Sequence, residues 1–266
     1  EEFMQRLRIW LCILLLSSLT NISTSFPGEI TPIPSLNNIL NEARTSFSGK
    51  NNSITLEDML FKIKKFYYQI QYLDQKLEIL NEVKGHFEKA ISKAEEKYDE
   101  GEEDISQSDI TKLKLGLAGT LNNIYEVETG LQISRLSLSD SLDNKYSPNA
   151  ELVESSISPI KFEFNNFHAW EENHSKHPGK LKRELILKKG FLQVVEAKKK
   201  MQLARKNRKM TRALLVSEVA NYDFGIGDSG DLFQALIIYT RVLNGYYDSV
   251  YNFNLLVAKL DRDTNK

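Results

Sequence analysis

The chain has 266 residues, 41% of them hydrophobic and 27% charged. Its 35 Lys and Arg nearly cancel 36 Asp and Glu, so no bulk charge excess draws it to a polyanion or a membrane surface. A single cysteine, Cys12, excludes an internal disulfide framework and any multi-cysteine metal site.

Residues 4–25 have the form of an export signal peptide. Met4 is followed by basic Arg6 and Arg8, and an apolar run over residues 9–19 is broken only by Ser17 and Ser18. Polar residues with small Ser23 and Ser25 come next. The run is shorter than the roughly 20 apolar residues a helix needs to cross a bilayer about 30 Å thick. Cys12 lies inside it, so the mature chain is expected to carry no thiol. Bulky Leu11 before Cys12 argues against a lipid anchor there. Residues 26–54 read as a polar N-terminal segment with prolines at 27, 32 and 34.

The other prolines, at 148, 159 and 178, leave residues 35–147 and 179–266 open to long helices. A first helical hairpin is predicted over residues 55–142. Thr55 with Asp58 makes its N-cap, and Leu56, Leu60, Ile63, Tyr67 and Ile70 open an apolar seam. The seam continues at Leu73, Leu77, Leu80, Phe87, Ile91, Ala94 and Tyr98 in alternating steps of three and four, the signature of a coiled coil. Gly101 breaks the helix, Ser106 or Ser108 caps the return, and the returning seam runs from Ile110 through Leu121 to Leu142.

Residues 143–178 read as a connector. The alternation of Ile160, Phe162 and Phe164 predicts a short isolated strand in it. A second hairpin is predicted over residues 179–262, its first helix ending near Tyr222 and its second starting near Leu232. The first helix has apolar residues on more than one side, which predicts contact with more than one neighbour. The fold class expected is all-α: two long antiparallel coiled-coil hairpins with no evident β-barrel.

The two hairpins are copies of one plan. Tyr98-Asp-Glu-Gly101 and Tyr222-Asp-Phe-Gly225 each close a long helix, and Asp109-Ile110 answers Asp231-Leu232 after the turns, the first turn being two residues longer. The stretch from Ala197 to Asp263, with its core from Ala220 through Tyr222, Asp223, Phe224, Gly225, Ile226, Gly227 and Asp228 to Leu236 and the later Tyr251-Asn-Phe-Asn-Leu-Leu-Val-Ala-Lys-Leu, resembles the C-terminal part of TolC-family outer-membrane efflux proteins. Residues 56–142 resemble the equivalent part of that family's first half.

The resemblance implies a homotrimeric channel of the outer envelope in efflux or type I secretion. Helices would form a periplasmic tunnel, strands an outer-membrane barrel, and a periplasmic adaptor of an inner-membrane pump would dock at the turns. Tyr222 then matches the aperture tyrosine, Asp231 an aspartate of the narrow entrance, and Asp109 its first-repeat equivalent. Tyr98 holds Tyr222's place in the first repeat, and Gly101 and Gly225 match the turn glycines presented to the adaptor. The chain departs from the family where Gly227 replaces an arginine of the closed aperture. It also shows no membrane strands before either long helix. The alternative is a soluble periplasmic helical scaffold or adaptor-binding protein, or a truncated, non-conducting channel relative.

Other chemistry is sparse. The acids Glu95, Glu96, Asp99, Glu100, Glu102, Glu103, Asp104 and Asp109 read as a solvated turn or a cation-attracting rim. The basic run from Lys198 to Arg212 points several ways around a helix and is read as a solvated face, not a nucleic-acid site. His168, His174 and His177 surround a connector and are not assigned a metal. No phosphate loop or nucleophile motif is present, so neither a cofactor nor enzyme activity is expected.

Overall fold

The computed structural model describes residues 30–47, 54–102, 105–174 and 181–265. The predicted export segment with Cys12, and likewise Glu103, Asp104 and His177, lie outside these residues. The helices are α1 (Leu36–Ser46), α2 (Leu56–Asp99), α3 (Gln107–Ser141), α4 (Phe167–His174), α5 (Leu181–Asp223) and α6 (Ser229–Asn265). Pro32–Lys266 forms one compact unit.

The long helices run where the three-four apolar steps predict them. Thr55 caps α2, its side chain accepting the backbone N–H of Asp58. Each helix buries its seam on a neighbour: α3 packs on α2, α2 on α6, and α6 on α5, giving the order α3, α2, α6, α5 across the unit. Contacts between the hairpins descend in order. Lys64 pairs with Asp261, Tyr72 stacks on Tyr251, Tyr239 donates to Glu82, and Phe87 meets Phe233. The helices α2 and α6 are therefore antiparallel, which sets both hairpin turns at the same end.

Gly116 of α3 permits a close approach near that end. A Cβ there would stand 2.7 Å from the Phe87 ring and 2.9 Å from that of Phe233. Two apolar cores result. One holds Phe87, Val194, Tyr239 and Phe253; the other holds α1, the first half of α2, and Ile124, Leu131 and Leu138 of α3.

Two local expectations need correction. Residues 26–54 are not simply polar, because α1 buries Ile39, Leu40 and Ala43 against α2. Its apolar stripe is too short to stand out beside the long seams. Residues 160–164 form no strand: the backbone of Ile160 donates to Asn254 Oδ1 at 3.0 Å, and Asn254 Nδ2 donates to the Ser158 carbonyl at 2.9 Å. A buried side-chain amide replaces the missing strand partner, and the alternation arises because only one side of the segment faces the helices. Among the described residues the β-type pairing is a single parallel bridge between Ile33 and Leu152. The helix α5 meets more than one neighbour: α6 along its length, α4 at Phe191, the connector at Lys198 and α2 at Tyr222. Its outer side is nonetheless open, with Leu185, Leu192, Leu203 and Met210 more than half exposed.

The connector therefore works as a belt. From the end of α3 it reaches α2, where Gln71 Nε2 donates to the Glu154 carbonyl at 2.6 Å and the Tyr67 hydroxyl to the Glu154 carboxylate at 3.3 Å. It then meets α6 at Asn254 and α5 at Lys198, whose ammonium donates to the Phe162 carbonyl at 2.7 Å. Trp170 of α4 ends the belt, buried against Phe191. Each long entry helix is thus preceded by a short one, α1 before α2 and α4 before α5.

Candidate functional site

The two turns lie together at one end, and their backbones are built alike. The Gly101 N–H bonds the Tyr98 carbonyl at 3.1 Å and the Glu102 N–H the Lys97 carbonyl at 3.0 Å. Gly225 and Ile226 repeat this toward Tyr222 and Asn221 at 3.2 and 2.9 Å. Both are Schellman caps, whose geometry needs a left-handed residue. Gly101 has φ 79° and Gly225 φ 71°. The repeated Tyr-x-x-Gly is therefore a helix stop, with the tyrosine two positions before the capping residue.

The helix starts also match. Ser106 caps α3 in a capping box with Asp109, whose carboxylate accepts from the Ser106 backbone and hydroxyl and pairs with Lys112 at 3.1 Å. The Ser106 hydroxyl, followed by Lys112, holds the Asp109 carboxyl below its ordinary value. In α6 the Asp228 side chain accepts the Asp231 N–H at 2.8 Å. Asp231 itself is exposed and its carboxylate makes no ion pair among the described residues. Asp109 is thus occupied by its cap, whereas Asp231 is open to solvent.

The tyrosines diverge more sharply. Tyr98 is 44% exposed, while Tyr222 is 5% exposed and its hydroxyl donates to the Ala90 carbonyl of α2 at 3.1 Å. Lys93 completes this latch. Its ammonium lies 5.2 Å from the Tyr222 ring centre and donates to the carbonyls of Tyr222 and Asp223 at 2.9 and 2.8 Å. A cation there neutralises the negative end of the α5 dipole. Lys89 pairs with the Asp223 carboxylate at 2.6 Å. Lys89 and Lys93 escaped the sequence reading, yet with Lys97 they form a basic row at four-residue spacing on an otherwise acidic helix end.

The two tips differ in chemistry. Around the first, Glu95 pairs with Lys114 and Glu102 with Lys97, leaving Glu96, Asp99 and Glu100 exposed. On the second, Phe224 and Ile226 are about four-fifths exposed. The basic run on α5 is dispersed: Arg208 lies over Tyr246, Lys200 pairs with Glu196, Lys198 holds the belt, and Lys199, Lys206 and Lys209 reach solvent. His174 stacks on Trp170, and His168 is 3.2 Å from Glu172.

No protein-family model matches the chain, and no curated protein does. Solved structures do. The fold is TolC-like: the chain superposes on a structure of the outer-membrane channel OprN with a TM-score of 0.61, covering 86% of this chain and 70% of that one. At 10% identity, this likeness is one of fold. Among the described residues no helix is long and apolar enough to cross a membrane.

Proposed function

We propose that the chain is a TolC-like component of an outer-envelope efflux or secretion system, its four long helices forming a section of a tunnel wall. The observation that carries this reading is the open order α3, α2, α6, α5 with both turns at one end. A self-contained bundle hides its apolar lines inside, whereas here the two edge helices keep apolar side chains exposed, as a wall section awaiting its neighbours does. Copies of the chain would complete the wall, a homotrimer being the arrangement the resemblance implies, and an adaptor would meet the turns at Gly101 and Gly225.

One observation favours a non-conducting variant of this role. In the family resembled, membrane strands precede each long helix. Here only residues 47–55 separate α1 from α2, and only residues 175–180 separate α4 from α5. A single spanning strand takes about 9 to 11 residues, and a hairpin needs two.

The test is expression of the chain with its export segment, followed by envelope fractionation and sedimentation of the purified protein. The wall reading expects envelope association and a discrete oligomer. A species that stays monomeric up to ~100 μM and captures no adaptor leaves the scaffold reading.

A further inference from the structure

The two edge helices carry a second line of residues facing away from the layer. On α5, Leu187, Val194, Met201, Arg208 and Leu215 recur every seventh residue and face α6. Two residues earlier, Leu185, Leu192, Lys199 and Lys206 form a parallel line, all exposed. On α3, Leu117, Ile124, Leu131 and Leu138 face α2, and two residues earlier Leu115, Asn122, Thr129 and Leu136 form the matching exposed line. A step of two residues turns a helix by about 200°, so each outward line lies nearly opposite its buried one.

The lines also match in height. Along the layer, Gly190 meets Leu260, Asp261 meets Lys64, and Lys62 meets Asp140. Nearer the turns, Arg208 meets Tyr246, Asp248 meets Tyr72, and neighbouring Leu73 meets Gly130. Leu192 of α5 therefore stands level with Leu136 of α3, and Lys206 with Glu126 and Thr129, within about a turn. The edges run antiparallel, as every other adjacent pair does. Apolar meets apolar far from the turns, and cation meets anion midway. Neither Lys206 nor Glu126 has an ion-pair partner among the described residues.

We propose that the outward line of α5 in one copy docks antiparallel on the outward line of α3 in the next. Lys206 pairs with Glu126 across the junction, and Leu192 packs on Leu136. This rests on the tunnel-wall reading and adds the residues that fix register. The junction is head-to-tail, so it does not end at a two-fold dimer and closes a ring where the rotation between copies returns to the start.

The test uses the full chain in a Cys12→Ser background. One preparation carries Leu192→Cys and a second carries Leu136→Cys. Oxidation of each alone is expected to give monomer on denaturing gels, and the mixture a covalent dimer. Glu126→Lys and Lys206→Glu should each weaken assembly about tenfold in sedimentation, with the two together restoring it. Crosslinking in either single preparation, or an assembled wild type indifferent to both charge changes, overturns this pairing while leaving the wall reading intact. A wild type that remains monomeric overturns both.

Discussion

The hydroxyl of Tyr222 donates to the carbonyl of Ala90 at 3.1 Å, so the last turn of α5 is bonded to α2 and not only to its own hairpin partner. The second tip therefore opens only if this bond and the Lys93 contacts break.

Removing the hydroxyl in Tyr222→Phe should cost about 0.5 to 1.5 kcal/mol, and Lys93→Met about 1 to 3 kcal/mol, because its bonds are charge-assisted. Hydrogen exchange should rise first in the amides around residues 220–227 in both variants. Uniformly unchanged exchange there would show that the latch does not hold the tip.

The turn glycines make a paired case. Gly101 and Gly225 have no atom within 4 Å of an added Cβ, so an alanine meets no clash and pays only for the left-handed backbone. Each Gly→Ala change should destabilise by about 1 to 2 kcal/mol in denaturant unfolding. Asp231→Asn should leave helicity intact, with at most about 0.3 to 1 kcal/mol lost, yet change adaptor capture if the open carboxylate is part of a docking surface. Equal capture by both proteins removes Asp231 from that surface.

Gly116 and Gly119 of α3 should respond with opposite sign. A methyl at Gly116 collides with two packed rings, which predicts a loss of about 1 to 3 kcal/mol. Gly119 faces open space, so alanine there should gain about 0.5 to 1 kcal/mol of helix propensity. Thermal melts of the two variants compared with wild type decide the matter.

Acid should loosen the start of α3. The Asp109 carboxyl sits below its ordinary value when folded, so its contribution is complete above the unfolded carboxylate range near 4 and fades as pH falls through the lower folded value. Asp109→Asn should cost about 0.3 to 1 kcal/mol at neutral pH, because it removes the charged half of the capping box and leaves the Ser106 cap, and the difference from wild type should shrink on acidification. A constant difference across that range would mean that Asp109 does not titrate with folding.

The long helices were legible because coiled-coil steps of three and four persist over many turns, and glycine and cap residues punctuate them. The recurring turn was legible for the same reason: Tyr-x-x-Gly records a backbone requirement that both turns meet. What the sequence did not disclose depends on contacts between distant segments. Asn254 gives no local sign that it will hold the belt, and the apolar stripe of α1 is too brief to stand out. The different fates of Tyr98 and Tyr222 depend on Ala90 and Lys93, which lie far from Tyr222 in the chain. Even the seam had gradations that periodicity does not show, since Leu77 and Leu121 are only partly buried while Leu80 and Leu113 are sealed.

The belt has a mechanical consequence. Parallel rods joined only along their sides resist being pulled apart more than they resist sliding lengthwise, because their ridges offer similar seats one turn further on. A crosspiece fastened to three rods at Gln71, Asn254 and Lys198 stops that racking, as a diagonal does in a frame. It sits far from the turns. Any bending of the helices is thereby directed toward the end that the belt does not cross, where the two hairpin tips stand and the Tyr222 and Lys93 contacts tie α5 to α2.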